Sequence, residues 1–181
     1  MDTRPATVFA GSEVVTGGTR DQVVAVLRQL HDAGDRRTVL VFDDETGEQL
    51  DLDLRADLPP AEPERRSPGR PKLGVVAREV TLLPRHWEWL SAQPGGASVA
   101  LRKLVEKARR ESADGDRIRR SQEAAFRFMT SIAGDQPGYE EAVRALYACD
   151  HPTFDARVAE WPPDVAAYAR SLAAEAFAPG E

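Results

Sequence analysis

The sequence predicts an α+β fold, with strands and one helix first, a strand-helix-helix segment in the middle and a helical bundle last. Three observations support this prediction. The first 56 residues hold short β-branched runs between turn residues. Residues 57–72 contain five prolines, which exclude a helix or a central strand there. Beyond Gly115, apolar residues recur at helical spacing between short breaks.

Four segments follow from these patterns in a chain of 181 residues. They are a small α+β domain over 1–56, a Pro-rich basic linker over 57–72, a strand-helix-helix segment over 73–112 and a helical bundle over 113–181. The breaks between the segments coincide with changes in composition, which is how domain boundaries are recognised in a sequence.

The first domain is predicted to begin with a hairpin and a helix. The hairpin spans residues 7–15 and turns at Gly11-Ser12. Thr19 is the expected N-cap of the helix, because Gln22 three residues later completes a capping box. Gly34 stands where a glycine commonly ends a helix.

A second hairpin is predicted over residues 38–54. Thr38–Phe42 has the length and composition of a strand, and the alternation in Leu50–Leu54 is typical of a half-buried strand. Asp43, Asp44 and Glu45 stand between the two runs but lack the spaced oxygen ligands of a calcium loop. We therefore expect a solvent-exposed turn there, without a metal ion.

The last segment predicts four amphipathic helices, over about residues 116–133 and 139–148, from residue 151, and over about 164–177. Short breaks between such helices favour a compact bundle. This bundle is a candidate surface for dimerisation or for a protein partner.

Charge is distributed unevenly along the chain, whose net charge is −6. Residues 65–120 carry 14 basic and 6 acidic side chains, whereas residues 1–64 carry 6 and 14 and residues 121–181 carry 4 and 10. A basic middle third in an acidic chain indicates a segment that binds a polyanion. The alternative is that the basic segment packs against its own acidic flanks.

The middle segment predicts a strand over Arg78–Leu83, a short helix over Arg85–Gln93 and a second helix capped by Ser98. Trp87, Leu90 and, as an alternative, Trp89 are placed for burial on the short helix. Because Trp87 and Trp89 lie about 200° apart, either one of them is exposed or a partner chain covers both. On the second helix, one apolar stripe is flanked by cations. The stripe consists of Leu101, Leu104, Val105 and Ala108, and the cations largely off it are Arg102, Lys103, Lys107, Arg109 and Arg110.

This order of elements resembles the ribbon-helix-helix motif of Arc- and MetJ-type repressors. The resemblance rests on Val80-Thr81-Leu82-Leu83-Pro84-Arg85, on Gly95-Gly96-Ala97-Ser98 and on the apolar stripe. It implies a homodimer whose paired strands enter the major groove of double-stranded DNA, and a second helix whose first N–H groups contact a phosphate. The candidate DNA-binding residues in this segment are Arg78, Thr81, Arg85, Gly96, Ser98 and Arg102.

The strand register stays open. If Thr81 faces the groove, Glu79 faces it as well, and Val80 and Leu82 point inward. Alignment on Pro84 reverses this order, because a slip of one residue moves every side chain to the other face.

Pro68-Gly69-Arg70-Pro71-Lys72 resembles part of an AT-hook, an extended segment that lies in the minor groove of A·T-rich DNA. This resemblance adds Arg70, Pro71 and Lys72 to the candidate DNA-binding residues. The alternative is a basic linker without a groove contact.

The whole order also resembles an uncharacterised bacterial family, the domain of unknown function 2239. The resemblance rests on Gly69–Gly74, Leu83–Leu90, Gln93–Ser98 and the helices between Phe128 and Phe154. It implies that the chain is one coherent unit of inheritance, and it implies no activity.

No catalytic site is predicted. His31, His86 and His151 lie in three segments without the spacing of zinc ligands, and Cys149 is the single cysteine. No phosphate-binding loop, dinucleotide fingerprint or nucleophile elbow occurs. We expect a cytoplasmic chain with no enzyme activity, no cofactor, no metal and no membrane span.

Three functions follow, in order of preference. The first is sequence-preferring binding of double-stranded DNA, as in a dimeric transcriptional regulator. The second is a protein interaction module whose basic segment docks on acidic protein surfaces. The third is an enzyme whose site is assembled from distant segments.

Overall fold

The computed structural model describes residues 4–52 and 78–178 and confirms the α+β class. Within these residues there are three strands and seven helices, and the first helix lies between the second and third strands. The strands are β1 (Pro5–Ala10), β2 (Glu13–Thr19) and β3 (Val39–Asp43), and the helices are α1 (Arg20–Asp32), α2 (Pro84–Ser91), α3 (Gly96–Glu111), α4 (Ala113–Ile132), α5 (Tyr139–Tyr147), α6 (His151–Val158) and α7 (Pro163–Phe177). Described residues 4–52 and 114–178 form one compact unit, and residues 78–113 belong to a second one.

The first unit contains an antiparallel sheet in the order β2-β1-β3. β1 is the central strand, and Ala6 to Ala10 are all buried. Thr7 pairs with Phe42, so Phe9 and Phe42 lie on one face of the sheet, while Val8 and Val41 pair on the other face. Because both faces of β1 are buried, the sheet needs a cover on each side.

Helices cover both faces of this sheet. Phe9 and Phe42 pack against Phe128 of α4, with ring centroids 5.4 and 4.9 Å apart, and against Tyr168 of α7. On the opposite face, Val8 packs with α1 in a second, smaller core. The N-terminal strands and the C-terminal helices therefore share one core, although the sequence pattern separates them.

Most local predictions for this unit are confirmed. The first hairpin turns at Gly11-Ser12, and the backbone N–H of Thr19 donates to the Gln22 side chain at the start of α1. Gly34 adopts a φ of +69° just after α1 ends. The four predicted helices correspond to α4, α5, α6 and α7.

The predicted strand over Leu50–Leu54 is wrong in its described part. Pairing stops after the bridge between Phe42 and Gln49 and the hydrogen bond from the Leu50 N–H to the Val41 carbonyl, at 2.8 Å. Leu50 and Leu52 are half-buried against the α1-side core. This half-burial explains the alternation without a strand, and residues 53 and 54 lie outside the described residues.

The acidic turn after β3 differs from its prediction as well. Asp43 is only 2% exposed. Its carboxylate accepts hydrogen bonds from the backbone N–H groups of Glu45 and Thr46 and from the Thr46 hydroxyl, at 2.9–3.1 Å. Burial by itself raises the pKa of Asp43, but these bonds and the nearby Arg4 outweigh it and lower the pKa below its ordinary value. Asp43 therefore holds the turn from inside, whereas Glu45 is exposed as predicted.

Candidate nucleic-acid interface

Six of the nine candidate DNA-binding residues lie in the described residues, all in the second unit. Arg70, Pro71 and Lys72, together with the predicted linker, lie outside them. The structure places Arg78 and Thr81 ahead of α2, Arg85 as the second residue of α2, and Gly96, Ser98 and Arg102 in α3. The six described candidates therefore lie in consecutive elements of one unit, as the sequence predicts.

Arg78–Leu83 form neither a strand nor a helix, so the predicted strand is not observed. The physical reason is that a strand exists only with a partner to complete its hydrogen-bond ladder. Residues 78–82 make no backbone hydrogen bond to another described residue. All of Arg78–Leu83 are exposed except Leu82, which is half-buried.

Helix α2 begins as predicted and ends earlier. Pro84 occupies its first turn, and Leu83 before it is extended, with φ −67° and ψ 150°. Of its side chains only Leu90 is buried, whereas Trp87 is 39% and Trp89 is 53% exposed. Trp87 is therefore not buried within the chain as predicted, since an eight-residue helix packed along one side leaves its other sides to solvent, and coverage by a partner chain stays a prediction.

Two left-handed glycines set the start of α3. Gly95 has a φ of +88° and Gly96 a φ of +75°, so the helix begins at Gly96 with Gly95 as its N-cap. Ser98 is consequently inside the first turn, and its predicted N-cap role is wrong. Gly95 contributes no side-chain cap, and the first turn contains no acidic residue. The N–H groups of Ala97 and Ser98 therefore point out of a helix end with no carboxylate in that turn.

The cations of α3 are exposed, and their ion pairs are local. Lys107 lies 3.7 Å from Glu111 and Arg109 lies 3.4 Å from Glu106, one helical turn apart in each case. Arg102 and Lys103 make no ion pair with a described carboxylate of the same unit. Ser98 and Arg102 stand at positions i and i+4, so Arg102 lies on the same face of α3 as the first turn.

The apolar stripe of α3 is also exposed. Leu104 is 44% and Val105 is 63% exposed, Ala108 is exposed, and Leu101 is half-buried. Beside the stripe, a groove of about 180 Å³ runs between α2 and α3. It is lined by Trp89, Gln93, Pro94, Ala100, Lys103 and Leu104. The sequence marked these positions as apolar, but it did not show that the stripe would stay uncovered.

Residues 4–52 and 78–178 hold no group of three or more His, Cys, Asp or Glu that could bind a metal ion. None of the helices in these ranges has both the length and the apolarity to cross a membrane.

A comparison with family models decides the affiliation of the chain. The model described as an uncharacterized protein conserved in bacteria, domain of unknown function 2239, matches residues 5–173. The chain belongs to this family. The match runs from β1 into α7, so it covers described residues of both units. Neither a curated protein nor a solved structure is significantly similar to the chain.

Proposed function

We propose that this chain binds double-stranded DNA through residues 69–110, as a dimeric transcriptional regulator with some sequence preference. The observation that carries the proposal is the surface of the second unit. It displays exposed cations around a helix start that has neither a side-chain cap nor an acidic residue in its first turn. Phosphate contacts of this kind supply most of the affinity of proteins for duplex DNA.

The start of α3 suits a phosphate group. The first N–H groups of a helix and its dipole together attract an anion. Gly95 and Gly96 add no side chain that would hold a phosphate away, and Arg102 lies one turn further along the same face. An arginine in this position contacts a phosphate oxygen that is also hydrogen-bonded to the backbone.

The segment ahead of α2 suits a ribbon made with a second chain. Its backbone groups are open to pairing, and Leu82 is its only half-buried residue. An inward Leu82 places Thr81 on the outer face, because strand side chains alternate. This register presents Thr81 and Glu79 to the major groove, and Arg78, which has the parity of Leu82, lies on the inner face at the start of the ribbon.

Titration of the full chain with genomic duplex fragments tests the proposal. With six phosphate contacts, affinity falls about a thousandfold between 50 and 200 mM salt. The triple variant Arg70→Glu, Lys72→Glu and Arg102→Glu is expected to lose binding while its circular dichroism stays unchanged. The matched triple Arg36→Glu, Arg144→Glu and Arg157→Glu has the same change in net charge outside the segment and keeps binding. Affinity that does not respond to salt, or equal loss in both triples, would overturn the proposal.

The groove between α2 and α3 favours the second candidate function, a protein interaction module. Trp89 offers an aromatic contact, a residue type that is enriched in protein interfaces, and Leu104 lies in the same groove. A chain that binds acidic proteins and no duplex DNA in the same titration supports this alternative.

A further inference from the structure

A cavity of about 250 Å³ lies between α6 and α7 of the first unit. Its lining combines two phenylalanines, two alanines and two side chains that carry nitrogen, and it consists of His151, Phe154, Arg170, Ala174, Phe177 and Ala178. Apolar walls with a few polar groups are the usual composition of a site for a small molecule. The proposed contacts with DNA use none of these six residues.

Aromatic side chains form much of the wall of this cavity. Phe154 is 1% exposed and belongs to the core of the unit, and its ring centroid lies 5.2 Å from that of the half-buried Phe177. Ala174, at an exposed position of α7, contributes no more than a methyl group to the lining. A flat ring that enters the cavity therefore leaves water and meets aromatic carbon, which is favourable for both surfaces.

Arg170 is held by one edge of its guanidinium group. Its Nε donates to a carboxylate oxygen of Asp155, and its Nη2 donates to the Asp155 backbone carbonyl at 3.4 Å. Nη1 makes no hydrogen bond to a described residue, so the edge between Nη1 and Nη2 stays available. Two parallel N–H groups on such an edge match the two oxygens of a carboxylate. Asp155 does not line the cavity, and its hydrogen bond with Arg170 lowers its pKa and balances its charge.

His151 supplies a second donor in the lining. Its imidazole stacks on the Phe177 ring, with 4.8 Å between the centroids and 24° between the planes. Among the described residues, none is hydrogen-bonded to the imidazole nitrogens. Stacking fixes the plane of the ring, and an imidazole N–H can then donate to an anion in the cavity. The lining therefore offers donors for an anion and contains no acidic side chain.

The volume of the cavity sets the size of the ligand. Because an apolar cavity of about 150 Å³ holds one benzene ring, a cavity of about 250 Å³ accommodates one ring with a short acidic group. We propose that this cavity binds a small aromatic carboxylate, whose carboxylate contacts Arg170 and His151 and whose ring packs on Phe154 and Phe177. This site goes beyond the proposed function, because it lies in the first unit and its ligand binds without DNA.

Titration of the isotopically labelled full chain with benzoate, followed by two-dimensional NMR, tests the proposal. We expect saturable shifts at the amides of residues 151–155 and 170–178, with a dissociation constant on the order of 1 mM, as for a ligand of about nine heavy atoms. Benzamide has a similar shape without the charge, and acetate has the charge without the ring, so each is expected to bind about tenfold more weakly or worse. Absence of shifts at these residues at about 20 mM benzoate overturns the site. Equal affinity for benzamide overturns the role of the carboxylate, and equal affinity for acetate overturns the role of the ring.

Two substitutions on α7 locate the site. Ala174→Leu adds bulk to the lining from an exposed position, so it is expected to abolish benzoate binding with unchanged circular dichroism. Ala167→Leu is the matched control, because Ala167 is exposed on the same face of α7 two turns earlier and does not line the cavity. Benzoate binding that survives Ala174→Leu, or that Ala167→Leu abolishes as well, overturns the proposal.

Arg170→Lys tests the contact with the guanidinium group. Lysine keeps the positive charge but lacks the parallel N–H groups, so benzoate is expected to bind about tenfold more weakly while the affinity for benzamide changes little. If Arg170 served only to hold Asp155, the substitution would lower both affinities alike. An unchanged ratio of the two affinities therefore overturns the proposed contact.

Discussion

Gly47 lies directly against the backbone of Ala124, where the turn after β3 meets α4. Gly47 is buried with a φ of +64°, and a Cβ at this position would overlap the Ala124 carbonyl. The contact is reinforced by Arg127 of α4, which donates to the Thr46 carbonyl at 3.1 Å. The turn thus joins the sheet to the helices of the same unit, and only a glycine allows this approach.

Gly47→Ala is therefore expected to lower the free energy of unfolding by about 3 kcal/mol or more, because it adds a steric overlap to an unfavourable left-handed conformation. Gly34→Ala is the matched control, since Gly34 has a φ of +69° and nothing within 4 Å of a Cβ. Gly34→Ala is expected to lower the free energy of unfolding by about 1 kcal/mol, because it adds only the cost of a left-handed backbone and no steric overlap. Urea denaturation measures both, and equal losses would contradict the role of the Ala124 contact.

Ser121 joins α4 to α7 through a buried hydroxyl. It donates to the Leu172 carbonyl at 2.6 Å and accepts from the Ala176 N–H at 3.0 Å. Ser121→Ala removes both bonds in a buried place, and we expect a loss of about 1–3 kcal/mol of unfolding free energy. Ser131→Ala in the same helix, where the hydroxyl is exposed and bonds only to Arg127, is expected to change it by less than about 0.5 kcal/mol. Equal decreases of the melting temperature in the two variants would contradict the role of the Ser121 hydroxyl in joining α4 to α7.

Asp43 is expected to make the stability of the protein depend on pH in the acidic range. Its folded pKa lies below the ordinary value of 3.8, so its contribution to stability is present above that pH and disappears as the pH falls through the folded pKa. We expect the unfolding free energies of the wild type and Asp43→Asn to converge as the pH falls from about 5 to about 2, because a protonated Asp43 loses the same charge interactions. Denaturation curves of both proteins across this pH range measure the convergence. A difference in unfolding free energy that stays constant with pH would refute the prediction.

Tyr168 is expected to make the stability of the protein depend on pH in the alkaline range. Burial and the hydrogen bond from its hydroxyl to Asp44, at 2.7 Å, raise the pKa of Tyr168 far above its ordinary value of 10.0. A raised folded pKa means that the stabilisation is complete below pH 10 and is lost as the pH rises further. Tyr168→Phe is expected to cost about 1–2 kcal/mol at neutral pH and to weaken this alkaline decline. Tyr147→Phe, at a half-exposed ring, leaves both quantities unchanged.

Arg85 is expected to contact a phosphate if the proposed function is right. Arg85→Gln then lowers duplex affinity for all sequences alike and reduces the slope of log K against log salt by about 1. Arg144→Gln, an exposed arginine on α5 that pairs with Glu141, leaves the slope unchanged. Fluorescence polarisation over a salt series measures both slopes.

Sequence reasoning succeeded where local rules decide the structure. The Gly11-Ser12 turn, the start of α1 at Thr19 and the placement of α4, α5, α6 and α7 follow from capping, turn residues and helical spacing. It was inaccurate where a tertiary contact overrides a local preference. Asp43 is the clearest case, because an acidic turn is exposed by default and is buried here by its contact with the rest of the unit.

For the candidate interface, the sequence located the cations and the stripe but not their surroundings. The spacing of Leu101, Leu104, Val105 and Ala108 predicts one apolar face, and spacing alone does not distinguish a face buried within the chain from one left uncovered. Ser98 shows the same limit, since two left-handed glycines place the N-cap of α3 at Gly95, three residues before the predicted one.

The sequence by itself determined the α+β class, the basic middle third and most element types, because propensity, capping and periodicity act over a few neighbouring residues. Only the tertiary structure decided that the N-terminal strands and C-terminal helices share one core and that the stripe of α3 faces solvent. The physical reason is that burial depends on contacts between residues far apart in the sequence, and a local sequence pattern does not specify those contacts.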